Sequence, residues 1–361
     1  MARSKSRGGC RKVLRSLFTI FIFAIILAAA GAWFFRRALQ TPYKGYSEAK
    51  TRVEVRKGQR TAVILQQLQR EGVLRDEWIP LVYMKILRSR DSLKAGVYEF
   101  DRALAPVDVI DKLVRGDVIL KTITIREGLD RFAIGRLFAA DGLGTEAEWK
   151  KATSDPELVR DIAPDADSLE GYLFPDTYKF NPGTPAKTIV QAMVANFRKN
   201  WGNSEIALIT TGLNVHQTVT LASIVETEAR LPQERPIVAS VYFNRIQKHM
   251  LLGADPTVIY ALKLAGRWDG NIRKPDLQMA SPYNTYRSPG LPPGPIANPG
   301  LASLRAASAP ATTPYLYFVA RNDGSHAFAT NAAEHNRNVD QFQRRFFRNQ
   351  RAQQQQQQRA K

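Results

Sequence analysis

The chain has 361 residues, 44% of them hydrophobic and 24% charged, enough for one large core or two modest ones. That composition excludes a disulfide-stapled miniprotein, a collagen-like fibre and a wholly disordered chain. A single cysteine, Cys10, allows no internal disulfide and no cysteine-rich zinc site, and the four histidines are scattered. The formal charge of +19 is concentrated at the ends: residues 1–37 carry eight Lys/Arg and residues 344–361 carry six, with no acid in either. The body between them is only mildly basic, which disfavours a nucleic-acid binder.

Leu17 to Phe35 is free of charge, and about 20 apolar residues suffice to cross a bilayer as a helix. Six cations precede it, from Arg3 to Arg15, so the positive-inside bias predicts a cytoplasmic basic tail over 1–16 and a transmembrane helix over 17–35. Trp33, Phe34 and Phe35 fall where an interfacial aromatic belt belongs. A cleaved signal peptide ending near Ala28-Ala29-Ala30 is the alternative. The apolar run is longer than a usual signal core and continues into bulky aromatics and two arginines, which favours a retained single-pass anchor in the cytoplasmic (inner) membrane. The rest of the chain then lies on the extracytoplasmic side, and Cys10 on the reducing side.

Residues 36–51 read as a linker. Val53 and Val55 alternate with charged residues as in a half-buried strand. Ala62, Ile64, Leu65, Leu68 and Val73 follow helical spacing, Trp78 to Leu87 forms a second helical pattern, and Lys94 to Phe100 closes as a strand. With a further helix over Val107–Val114, a separately folding βααβ module is predicted over 52–118. A larger α+β domain is predicted over 119–347, beginning with a strand at Ile119–Ile125. Its helical candidates are Arg131–Ala140, Pro185–Asn200, His216–Leu231, Gln233–Gln247 and Thr257–Lys263. Met279–Pro299 holds six prolines and two glycines and must be irregular. A loop that long inside a domain is usually functional. Tyr315–Val319 reads as the last strand, and 348–361, rich in Gln and Arg, as a disordered tail.

The sequence lacks a phosphate-binding G-x-x-x-x-G-K-[ST] loop, a strand-linked G-x-G-x-x-G, a G-x-S-x-G elbow and H-E-x-x-H. No metal site and no cofactor are expected. Carboxylates set among small and apolar residues remain, and glycosidic bond cleavage is the chemistry that uses them. In Leu221–Arg230, the helical neighbours of Glu226 are Ala222, Ser223, Ala229 and Arg230, small enough to leave a cleft beside the carboxyl. Glu228 lies about 200° round the helix, so the two acids do not form a side-by-side pair. The plainer alternative is a solvated acid paired with Arg230. In Ser168–Tyr178, three aromatics surround Glu170 and Asp176. Together with Tyr172 they suit a sugar-binding wall, or else a buried turn in which Asp176 caps its own backbone. Asn284 and Tyr286 offer neutral hydrogen bonds to hydroxyl and acetamido groups, unless their loop is a rigid surface element. His326, Asn331 and His335 have no metal-ligand spacing and read as hydrogen-bonding or core residues.

Several segments in one order carry a family resemblance: Leu169–Tyr178, Ala222–Glu228, Val241-Tyr242-Phe243-Asn244-Arg245, Asp255–Tyr260, Tyr283–Tyr286, Gly290–Gly300, and Tyr315–Val319 with His326. Together they resemble the endolytic murein transglycosylases, the MltG/YceG-like family. The resemblance implies a LysM-like module over 52–118 and a YceG-like catalytic domain over 119–347. It also implies lytic cleavage of the β-1,4 bond between N-acetylmuramic acid and N-acetylglucosamine inside peptidoglycan strands, leaving 1,6-anhydro ends. Glu226 aligns with the family's catalytic glutamate and would serve as general acid, then base. Such a carboxyl must be protonated near neutral pH, which asks for a partly desolvated site; Ala222, Ala229 and the aromatics near Tyr172 are expected to supply it. Thr227 and Ala229 depart from the family's usual Lys and Thr, and Gly253-Ala254 from a polar pair. Peptidoglycan, the membrane and the cell-wall synthesis machinery are the expected partners. Two alternatives stay open: a hydrolase pairing Glu226 with Glu170 or Asp176, and a non-catalytic wall-binding scaffold.

Overall fold

The structure, a computed structural model, describes residues 7–202, 210–346 and 348. The expected glutamine-rich tail and the first residues of the basic tail lie outside them. Two compact units are present, Met1–Lys121 and Thr122–Lys361.

The first unit opens with helix α1 (Arg7–Gln40), whose stretch Ser16–Gln40 is long enough and apolar enough to cross a membrane. Then follow β1 (Thr51–Val55), α2 (Thr61–Arg70), α3 (Trp78–Ile86), β2 (Gly96–Phe100) and α4 (Pro106–Arg115). β1 and β2 pair antiparallel, with Val53 opposite Tyr98 and Val55 opposite Gly96. The alternation expected for a half-buried strand holds, since Val53 and Val55 are buried between exposed neighbours. Ile64, Leu65 and Leu68 of α2 close over them with Val109, Ile110 and Leu113 of α4. Helix α4 starts on Pro106, where the missing N–H is harmless, and stops at Gly116, whose left-handed φ of +78° favours glycine.

The second unit is mixed α+β. Its elements are β3 (Lys121–Thr124), α5 (Arg131–Ala140), α6 (Glu146–Ser154), β4 (Thr177–Phe180), α7 (Ala186–Gly202), α8 (Val215–Glu228), α9 (Arg235–Gln247), α10 (Asp255–Leu264), α11 (Leu301–Ser308), β5 (Tyr317–Ala320), β6 (His326–Ala329) and α12 (Ala332–Val339). β3 pairs with β4. β5 pairs antiparallel with β6, Phe318 facing Phe328, so Tyr315–Val319 is not the last strand. Helix α6 also escaped the hydrophobic pattern; it is started by a capping box in which Thr145 and Glu148 exchange hydrogen bonds.

Helix α8 is the axis of this unit. Asn214 caps its start, again with a capping box to Gln217, and every residue from Thr218 to Val225 is buried, as is His216. It packs against α11, α9 and α10. It ends at Glu228, three residues before the predicted Leu231: Ala229 is already extended, and so is Leu231, the residue before Pro232. The Met279–Pro299 segment is irregular, apart from its first residue following a short 3-10 turn at Asp276–Gln278. It is not a surface loop, for its end, from Gly294 to Gly300, is buried. Its amides are satisfied internally: Ile296 N–H donates to Ser223 Oγ at 3.0 Å.

Candidate active site

The last turn of α8 leaves the core, and Glu226 sits there with its side chain 5% exposed. Its Oε1 accepts from Arg235 Nη2 at 3.2 Å, and its Oε2 from the Gly300 N–H at 2.9 Å. Arg235 reaches it because the turn Pro232–Glu234 folds the chain back at the start of α9. That turn is pinned in place: Glu234 accepts from the His326 N–H at 3.0 Å and meets His326 Nδ1 at 2.7 Å. His326 is thus a hydrogen-bonding residue, as its context in the sequence suggested. Glu226 does not pair with Arg230 in any ion pair among the described residues; its cation is Arg235.

A second carboxyl stands beside the first. Glu127, in the turn after β3, has its Oε2 3.7 Å from Arg235 Nη2 and its side chain half exposed. Partial burial pushes its pKa up, the charge of Glu226 adds to this, and Arg235 opposes it. The following residue, Gly128, adopts φ +79° and passes so close that a Cβ there would stand 3.7 Å from Glu226 Cγ. Gly128 N–H donates to Asn298 O at 2.9 Å, tying this turn to the Pro/Gly-rich segment.

Glu127 and Glu226 line a groove of about 500 Å³ with Ile125, Arg126, Pro175 and Asp176. Asp176 enters from the start of β4, where its Oδ1 accepts from the Thr177 N–H and its Oδ2 from Asn196 Nδ2. Two of the acids expected from the sequence, Glu226 and Asp176, therefore meet in one groove. The others lie elsewhere. Glu170 is buried and accepts from Arg131 N–H, from Asn298 Nδ2 at 2.8 Å and from Tyr260 OH at 3.0 Å. Burial, aided by the Asp130 charge, pushes its pKa up to about 8 against the pull of those donors. Tyr172 is fully buried, edge-on to Phe197, with its hydroxyl 2.9 Å from His216 Nδ1. His216 Nε2 lies 2.8 Å from Pro293 O, so Nε2 carries the proton and the tyrosine donates to Nδ1. Asn284 is buried and spans its own loop, donating to Leu277 O and Met279 O and accepting from the Tyr286 N–H.

Tyr286 is exposed at its ring and donates to Asp255 Oδ1 at 2.6 Å. Nearby, Glu228 accepts from Tyr242 OH at 3.1 Å, and burial pushes its pKa up to about 7. Glu226 and Glu228 have separate partners, as their angle round the helix requires. Glu127, Arg235, Asn298 and Gly300 were not singled out in the sequence; Asn298 and Gly300 lay inside the quoted Gly290–Gly300 motif, and nothing in hydrophobic spacing links Glu127 or Arg235 to Glu226.

Gly300 is glycine for a contact rather than for its backbone. Its φ of −77° is open to any residue, yet a Cβ there would stand 1.8 Å from Glu127 Oε1. In Gly300→Ala the half-exposed Glu127 carboxyl swings away, because it is the free end of a flexible side chain. The stability, read from a thermal melt, is expected to change by no more than surface substitutions usually cause, about 0.5 kcal/mol. Turnover is expected to fall about tenfold through loss of the Glu127 carboxyl from the groove. Unchanged turnover with the fold intact would show that this contact has no functional weight.

Residues 53–341 match the model of the YceG-like family, and the chain belongs to that family. A Bacillus subtilis protein named endolytic murein transglycosylase is 31% identical over 332 residues, covering 88% of this chain and 91% of its own length. A Streptococcus pneumoniae protein of the same name is 29% identical over 357 residues, covering 90% of this chain and 64% of its own length. The crystal structure of a yceG-like protein from Listeria monocytogenes superposes with a TM-score of 0.54 at 33% identity, covering 81% of this chain and 99% of the other.

Proposed function

We propose that the protein is a membrane-anchored endolytic murein transglycosylase that cuts the MurNAc-β-1,4-GlcNAc bond within glycan strands, with Glu226 as its acid and base. The observation that carries this reading is the position of Glu226: an acid in the last turn of a buried helix, fixed by two donors, on the wall of an open groove. Its kinship with proteins named for that activity supplies the substrate class.

The reaction needs no water. The C6 hydroxyl of the muramic acid attacks its own anomeric carbon, the C1–O4 bond breaks, and a C1–O6 bond forms. Glu226 gives its proton to the departing O4 and takes the proton of O6, so it ends as it began. Arg235 and the Gly300 N–H hold the carboxyl in one orientation throughout, which is the part of catalysis that depends on positioning. Asp176, across the groove, faces sugar hydroxyls, and the exposed Tyr286 ring is a stacking surface further out. Glu170, Tyr172 and Asn284 support the walls from behind.

In this reading α1 is the retained single-pass anchor, with a cytoplasmic N-terminus and the rest of the chain outside the cell membrane, and residues 52–118 are a LysM-like module that helps to hold the wall. The length and apolarity of Ser16–Gln40 and the flanking cations support the first point. The full chain in detergent, given purified glycan strands, is expected to release fragments ending in 1,6-anhydromuramic acid, read by mass spectrometry. Reducing ends would assign a hydrolase instead, and an absence of fragments a wall-binding scaffold.

A further inference from the structure

A carboxyl that starts the reaction by giving up a proton must first hold one. Both oxygens of Glu226 face donors, one of them the Arg235 guanidinium at 3.2 Å. The group that stands next to it is another carboxyl. Glu127 reaches the same Nη2 at 3.7 Å and lies over the Cα of Gly300, the residue whose N–H binds Glu226. One cation thus serves two acids, and with a single proton on the pair the three groups are neutral together.

We propose that Glu127 and Glu226 form a carboxyl pair sharing one proton around Arg235, with Glu127 keeping that proton in the resting enzyme and passing it to Glu226 when a glycan strand fills the groove. Glu127 is a positioning residue: it touches no reacting atom and acts through Glu226. The inference rests on the transglycosylase reading and specifies how its acid is loaded. The Glu127 carboxyl hands its proton to the Glu226 carboxylate. Glu226 passes that proton to O4 as C1–O4 breaks, and O6 returns one to Glu226 as C1–O6 forms, after which the pair holds one proton again. Like charges this close do not ionise together without cost, and partial burial of Glu127 raises that cost. The other charged groups facing the pair are Arg126 on its own turn and Asp176 across the groove, of opposite sign. Arg235 is the cation that reaches both carboxyls.

The test is kcat and KM against pH for the full chain in detergent, with glycan strands as substrate, for wild type, Glu127→Gln and Glu127→Asp. Without a second carboxyl, Glu226 faces only its cation and its N–H donor. The alkaline limb of kcat in Glu127→Gln is therefore expected to move about one pH unit lower, with a roughly tenfold loss near neutral pH that shrinks in acid. KM is expected to stay unchanged, and Glu127→Asp to recover part of the shift. A loss equal at every pH, or no loss, would overturn the pair. The two readings fail separately. Anhydro ends with a uniform loss sink the proton sharing alone, whereas reducing ends with the alkaline shift sink the transglycosylase and leave the pair.

Discussion

Glu226→Gln is expected to keep the fold and to lose glycan cleavage by about two to four orders of magnitude, the usual weight of a positioned acid–base group. The amide matches the carboxyl in shape, so the packing of the last turn of α8 survives. Its carbonyl oxygen can accept from only one side of the Arg235 and Gly300 pair, and its NH₂ then opposes the other donor. That mismatch costs about 1–2 kcal/mol, small against a domain of this size. The measurement is release of soluble glycan fragments beside a thermal melt. A variant that melts normally and cleaves at the wild-type rate would move the chemistry to Glu127, Asp176 or Glu228.

Glu170→Ala is expected to have the opposite profile: a large loss of stability, with any fall in activity following the unfolded fraction. Removing the carboxyl leaves the Arg131 N–H, Asn298 Nδ2 and Tyr260 OH without their acceptor in a fully buried place. With each stranded donor costing about 1–3 kcal/mol, a total near 3–5 kcal/mol is expected and the melting temperature drops by several degrees. The wild type carries a pH signature that the variant lacks. The folded pKa of Glu170, about 8, lies above its ordinary 4.5, so the native state holds this proton more tightly than the unfolded chain. Its contribution to stability is full below about pH 4.5 and is lost as the pH rises through about 8. Melts of wild type and Glu170→Ala across that window are expected to converge as the pH climbs. Parallel curves would mean that Glu170 does not titrate there.

Glu170 and Glu226 also show what a sequence does and does not disclose about a site. Both are acids among apolar and small residues, and spacing alone treats them alike. The aromatic cluster around Glu170 looks like a sugar-stacking wall, because the same rings serve a binding surface or a core; Tyr172 proves to be core, edge-on to Phe197. The small neighbours of Glu226 misled in a subtler way. Ala222 and Ala229 are buried, so their size serves the packing around α8, and the open space lies on the side of Glu127 and Asp176.

Local features were the legible ones: the apolar run of α1, the strand alternation of β1, the Pro-rich segment and the opposed directions of Glu226 and Glu228. Each depends on residues within one turn or one pleat of each other. Glu127, Arg235 and Gly300 were hidden because they meet Glu226 only through the fold. Glu127 arrives from a turn some hundred residues earlier and Gly300 from a loop 74 residues later. No period connects them. The strand β6 and helix α6 were missed for a different reason: one is a four-residue strand, and the other is held by a capping box more than by an apolar face.

The measurement that tests the mechanism most directly is digestion of glycan strands in heavy-oxygen water, followed by mass spectrometry of the new ends. If the muramic acid closes on its own C6 hydroxyl under the control of Glu226, the fragments carry anhydro ends and no label. One heavy oxygen at the anomeric carbon of every new end would mean that water is the nucleophile, and the single-carboxyl transglycosylase would be excluded.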